Sequence, residues 1–334
     1  IDSKDSWIDS ASYNPIQVMD LFAIDAKIKG LDWGWNIDLD ANISSLNVNR
    51  LPNASRAEIG LNRDIFLPIF EKSSANLFAA YRYRVWNGSL GETDVYSAFG
   101  GFLEKKGIKK SKPSDFSYIL RVGLGSYQGE SLDNKHLISL YRSNIYGSIN
   151  TNYPIWRAKS KEIPIERKYR YSSIPINSGL FLNATIDASS SLYENGNSLN
   201  TLGFKIGPRL TVGTLKRKFL DYTKLAITLG SKYKQGQSPF NFDEAIDLST
   251  VSLGLAQQIY GPLILNSELE FNIDRSSNFY GNLINSKFEI RWQRRAYDFG
   301  IYYNPNKQLG GLTFRLNDFD FKGLGTPYTT SGKL

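Results

Sequence analysis

A chain of 334 residues with no cysteine excludes structural disulfides, thiolate metal sites and cysteine nucleophiles, and its single histidine cannot build a histidine-bound metal centre. Only 41% of residues are hydrophobic, mean hydropathy is -0.34, and no apolar run reaches the roughly 18 residues of a membrane-crossing helix. The net charge is +8, but the basic residues are not interleaved with aromatics on one face, which argues against nucleic acid.

What remains points to sheet. The chain holds 20 Tyr, 19 Phe and 6 Trp, residue types that suit a pleated surface. It begins at Ile1 without an initiator methionine or a leader-like segment and is read as a domain of a longer protein. Residues 1–20 are a lead-in, 21–322 a barrel and 323–334 a polar tail.

In chain order the dominant signal has period two. Leu31, Trp33, Trp35, Ile37, Leu39, Ala41 and Ile43 alternate with Asp32, Asn36, Asp38 and Asp40. Leu77, Ala79, Tyr81, Tyr83 and Val85 oppose Arg82 and Arg84, and Tyr118, Leu120, Val122 and Leu124 oppose Arg121. Leu180 to Ala188 alternates likewise against Asp187, and Leu225, Ile227 and Leu229 oppose Lys224. Leu263, Leu265, Leu269, Phe271 and Ile273 oppose Glu268 and Glu270. Phe288, Ile290 and Trp292 oppose Glu289 and Arg291, and Tyr297, Phe299, Ile301 and Tyr303 oppose Asp298. Turn-forming clusters separate the segments, among them Glu194 to Asn197, Lys234 to Pro239, Tyr260-Gly261-Pro262 and Asn304-Pro305-Asn306.

This pattern predicts an all-β, antiparallel transmembrane β-barrel of about 14–16 strands, each about ten residues long. A soluble β-sandwich or β-helix is the alternative from alternation alone. In a barrel, Arg82, Arg84, Arg121, Lys224, Glu268, Glu270, Glu289, Arg291 and Arg315 line a wet lumen of mixed charge. Two basic loops carry the positive excess: Lys105, Lys106, Lys109 and Lys110 in one, Arg167 and Lys168 in the other. They draw anions such as a phosphorylated lipid, or serve solubility alone. The short links 293–296 and 260–262 fall at one end, the long links 235–248, 274–286 and 304–311 at the other. Both basic loops fall with the short links, the periplasmic side of such barrels.

Catalytic signals are weak. His136 sits at a strand start without a G-x-S-x-G motif, and Gly123-x-Gly125 lies inside a strand pattern with no helix after it. The reading is not an enzyme, with no cofactor.

The last hundred residues carry a resemblance. Asp221-Tyr222-Thr223, Gly236-Gln237-Ser238-Pro239-Phe240-Asn241-Phe242-Asp243 and Leu253 to Leu263 resemble a cyanobacterial family of unknown-function domains related to the C-terminal barrel of LptD. Tyr297 to Pro305 and Gly310 to Phe321 are similar to its closing strands. The resemblance is specific over about residues 220–325 and diffuse before that. It implies an outer-membrane barrel that receives lipopolysaccharide from periplasmic bridge proteins and passes the sugar through the lumen. The lipid leaves by a seam between first and last strands, and a plug lipoprotein occupies the lumen. Gly311, Leu312, Phe314 and Leu316 are the closing-strand and seam candidates. Gly310-Gly311 is read as weakened pairing or, preferably, as part of a tight turn after Asn304-Pro305. The competing function is a passive outer-membrane porin.

Overall fold

A computed structural model describes residues 22–28, 34–43, 55–66, 73–111, 114–133, 136–158, 171, 176, 178–215, 217–294, 296–307 and 309–316. They form fifteen strands: β1 (Phe22–Ile28), β2 (Trp35–Ile43), β3 (Ser55–Ile65), β4 (Ser73–Trp86), β5 (Glu92–Ser111), β6 (Ser114–Glu130), β7 (Leu137–Arg157), β8 (Gly179–Tyr193), β9 (Ser198–Val212), β10 (Thr223–Gly236), β11 (Ser249–Tyr260), β12 (Leu263–Asn272), β13 (Leu283–Gln293), β14 (Tyr297–Asn304) and β15 (Leu309–Leu316). Each pairs antiparallel with the next in one sheet of order β1 to β15. No helix among the described residues is long and apolar enough to cross a membrane. The fold is therefore all-β, with a strand number inside the expected range.

Register turns the alternation into two faces. Tyr118, Ile149, Ile186 and Phe204 align across β6 to β9. Ile227, Leu253 and Leu269 align across β10 to β12, and Ile290, Ile301 and Leu312 across β13 to β15. Most of these side chains are exposed, so the sheet presents a broad apolar face outward. The opposite face carries the charged and hydroxyl side chains. Trp86 on β4 donates its Nε1 to the carbonyl of Ile284 on β13 at 3.1 Å. Strands that far apart in sheet order touch only if the sheet curls, with its polar face inside. Among the described residues β1 and β15 are the edges and do not pair with each other.

Three expectations are corrected. First, β5, β6 and β7 run 20, 17 and 21 residues, well beyond the ~10 that cross a bilayer. The β5–β6 ladder stays paired out to Ser111 and Ser114. Lys105, Lys106, Lys109 and Lys110 therefore belong to strand β5 and not to a loop. They also divide between faces. Lys105 and Lys109 are in register with Leu120 and Phe116, on the apolar face, while Lys106 is in register with Ile119 on the other. Alternating side chains cannot form one patch from consecutive strand positions. Arg167 and Lys168 lie outside the described residues.

Second, a backbone irregularity inverts the parity of β4. Leu77 and Tyr81 are exposed on the apolar face. Tyr81 is opposite Ser97 and Tyr83 opposite Val95 with no register shift, but Arg82 and Tyr96 between them drop out of the ladder, and Arg82 takes a positive φ of 50°. Beyond that point the side chains change face. Tyr83 and Val85 are consequently buried inside, at 2% and 0% exposure. Arg82 sits at the irregularity and pairs with Asp94 at 3.8 Å. Position 84 is in register with Asp94.

Third, Gly310 and Gly311 lie within β15, paired with Tyr303 and Tyr302, so they are not part of the turn. A Cβ on Gly311 would sit 2.9 Å from the Tyr302 ring. The tyrosine covers the glycine, the usual remedy for glycine near a sheet edge.

Candidate functional site

The inner face encloses a chamber of about 490 Å³ beneath a strap formed by residues 237–248, the link between β10 and β11. Its walls are rich in hydroxyl and amide groups. Ser189 and Thr201 hydroxyls are 2.8 Å apart, and Asn144 donates to Ser191 Oγ at 2.9 Å. Charged groups between them are paired. Arg121 meets Glu104 at 2.6 Å, both almost fully buried, and stacks over the Phe102 ring at 4.9 Å. Arg291 holds the buried Glu289 at 2.7 Å, and Asn266 donates to the same carboxylate at 3.3 Å. Lys205 reaches Glu270 at 3.7 Å.

The strap is packed into the sheet rather than extended into solvent. A 3-10 turn at Asn241–Asp243 points Phe240 and Phe242 inward. Their rings stack at 4.8 Å and continue through Tyr127 (5.9 Å) and Phe78 (6.1 Å), with Tyr193 edge-on to Phe240. Together with Tyr83, Val85 and Val95 they make a hydrophobic core on the otherwise polar face. Glycine opens the space for it: a Cβ on Gly129 would lie 2.8 Å from the Phe242 ring.

Polar ties fix the strap's rim. Asn87 donates to the carbonyls of Asn241 (2.6 Å) and Glu244 (2.9 Å). Ser89 donates through its backbone N–H (2.9 Å) and hydroxyl (2.5 Å) to Asp247, which also accepts from Asn272 at 2.6 Å. Asp243 takes Arg142 at 2.8 Å and the Tyr193 hydroxyl. Glu244 takes Lys234 and the backbone N–H of Ser238.

At the opposite end a second apolar cluster forms on the inner face. Tyr171, from the β7–β8 link, and Leu215, from the β9–β10 link, pack on Ile264. The fully buried Gln258 of β11 pins the β9–β10 link, donating to the carbonyls of Arg217 (3.0 Å) and Gly261 (2.7 Å) and accepting from the N–H of Asp221 at 2.8 Å. Burial there raises the Tyr222 hydroxyl above its ordinary value. The chain's own segments thus cover the chamber at the strap end and pack on the inner face at the opposite end.

Of the inner-face candidates, Arg121, Lys224, Glu268, Glu270, Glu289 and Arg291 lie on the polar face, and position 315 is in register with Asp298 on that same face. Lys287 is in register with Glu268. Within the set, Glu289 and Arg291 form a salt bridge with each other. Leu312 and Phe314 stand on the apolar face at 70% and 66% exposure. Position 316 is opposite Tyr297. His136 is exposed between β6 and β7. The strap's inward fold was not legible from alternation. The available clue was the Phe240-x-Phe242 pair, which sits in a link where exposed aromatics are unfavourable.

None of the curated proteins matches this chain. The family match extends far beyond the last hundred residues and takes in all fifteen strands. A model described as protein of unknown function, DUF3769, matches residues 8–320, and the chain belongs to that family.

Proposed function

We propose that this chain is an outer-membrane barrel that delivers lipopolysaccharide to the cell surface, in the manner of LptD. One observation carries the reading: the polar chamber is roofed at one end by the chain's own strap, whereas edges β1 and β15 are unpaired with each other among the described residues. A passive pore needs two open mouths. A lipid carrier needs a polar chamber with a side exit, because an edge left unpaired in hydrocarbon is costly unless it is used. The likeness of the strap segment and closing strands to LptD-related domains adds to this. Bridge proteins deliver the anionic lipid at the tight-hairpin end. The strap already fills part of the space that a plug lipoprotein would take.

The mixed-charge wall also suits a porin, and depletion separates the two. Cells depleted of the protein are expected to keep normal fractionation of other outer-membrane proteins and to lose surface lipopolysaccharide. Unchanged surface lipopolysaccharide with altered solute uptake would move the assignment to a porin.

Two further outcomes follow from the faces. Ile227→Arg places a cation in the middle of an apolar row, and is expected to cost roughly 2–4 kcal/mol in a bilayer near mid-depth. Urea titration of the protein folded into lipid vesicles reads this, and an effect within ~0.5 kcal/mol, as at ordinary surface sites, would argue for an aqueous outer face. Lys105 and Lys109 are aligned on the apolar face near a hairpin end, where long cationic side chains reach lipid headgroups. Lys105→Glu with Lys109→Glu is expected to weaken binding to vesicles containing lipopolysaccharide. Unchanged binding would remove the hairpin from the capture step.

A further inference from the structure

We propose that the strap 237–248 is a gate: at rest it roofs the chamber, and it lifts as a unit to open that mouth. The sheet allows this at the cost of few backbone bonds. Strand β10 ends at Gly236, which has a φ of +82° that glycine tolerates, and β11 begins at Ser249, so the β10–β11 ladder lies outside the moving segment. The strap's own backbone ties are the Gln237 N–H to Ser198, the Leu132 N–H to Pro239, the single Ser131–Phe240 bridge and the Lys232 N–H to Leu248. The strap's three carboxylates are tied to different supports. Asp243 goes to Arg142 and Tyr193 on β7 and β8, Glu244 back to Lys234 on β10, and Asp247 to the β4–β5 turn and Asn272 on β12. Each such tie exchanges for water on lifting, so its net contribution is small. Asn87 holds the carbonyls of Asn241 and Glu244, and Phe240 and Phe242 add their burial in a slot lined by Gly129. Residues 242–248 face the chamber directly, so lifting them exposes it. A few loop-terminal residues absorbing the change while rigid elements stay fixed is the general design of a hinged lid.

The gate does not depend on which molecule the barrel carries. The chain's lack of cysteine makes the test direct. Ser89→Cys and Asp247→Cys place two thiols across a close rim contact, and Thr201→Cys places a reporter on the chamber wall. The purified full chain in detergent is labelled with a bulky hydrophilic maleimide, once oxidised and once reduced and freed of reductant. Modification of the residue 201 peptide is followed by mass spectrometry. Strand content by circular dichroism checks that both forms are folded. Labelling is expected to slow at least about tenfold in the oxidised form, because a closed–open equilibrium with a minor open state is removed. Equal rates would overturn the gate, and so would failure of the 89–247 pair to oxidise in the folded protein. Normal surface lipopolysaccharide on depletion would overturn the assembly reading and leave the gate standing; equal labelling would do the reverse.

Discussion

Replacing Arg121 with Met is expected to destabilise the protein by about 3–5 kcal/mol, because it strands the Glu104 carboxylate in the wall. Glu104 is 7% exposed and meets Arg121 at 2.6 Å. Lys106 also approaches Glu104, at 3.2 Å, but its side chain is largely in solvent, so it offsets only part of the loss and puts the effect at the low end. The pair itself is worth far less than the cost of breaking it, since desolvating two ions consumes most of their attraction. The double variant Glu104→Met with Arg121→Met should therefore recover most of the stability. Urea midpoints of the two variants in detergent check this. A double variant as unstable as the single one would show that the lost packing over Phe102, not the orphaned charge, sets the penalty.

Removing the Phe240 ring is expected to free the strap while leaving the strands paired. Truncating a fully buried phenylalanine costs about 3–5 kcal/mol in a core that cannot relax. Phe240 is 0% exposed, stacked on Phe242 and edge-on to Tyr193. Apart from the single Ser131–Phe240 bridge and bonds at its two ends, its segment lies outside the strand ladders, so the penalty falls on the local closing equilibrium rather than on the whole sheet. Phe240→Ala should bring protease cleavage between residues 237 and 248 with strand content unchanged. Phe314→Ala removes an aromatic of the same size from the exposed apolar face and should leave the strap protected. Equal cleavage in the two variants, or global unfolding of the first, would contradict the separation of strap from sheet.

The two predictions differ in how much of their basis the amino-acid order contains. Arg121 stands opposite Tyr118, Leu120 and Val122 by simple alternation, so its face was readable; its partner Glu104 was not, because pairing depends on the β5–β6 register set at a distant hairpin. The lysines from 105 to 110 look like a loop cluster because charge density marks loops on average, yet cross-strand pairing with residues 115–120 kept them in sheet. The burial of Tyr83 and Val85 was not readable because parity arguments assume a regular backbone. Nothing in Tyr81 to Val85 announces the positive φ at Arg82 where the alternation breaks.

By itself, then, the order of residues determined the all-β class, the strand number within a narrow range, and the side of the sheet on which most strand residues stand. These depend on period two and turn chemistry, which act over a few residues. Tertiary structure alone decided the curl that joins Trp86 to Ile284, the partners of each inner charge, and the inward fold of the strap. Several of those features bring together residues more than a hundred positions apart, such as Trp86 with Ile284, Asn87 with Asn241 and Tyr127 with Phe242. Local propensity carries no information about such encounters. They are selected by whether a ring finds a glycine-lined space and a buried carboxylate finds its cation once the sheet has curled around them.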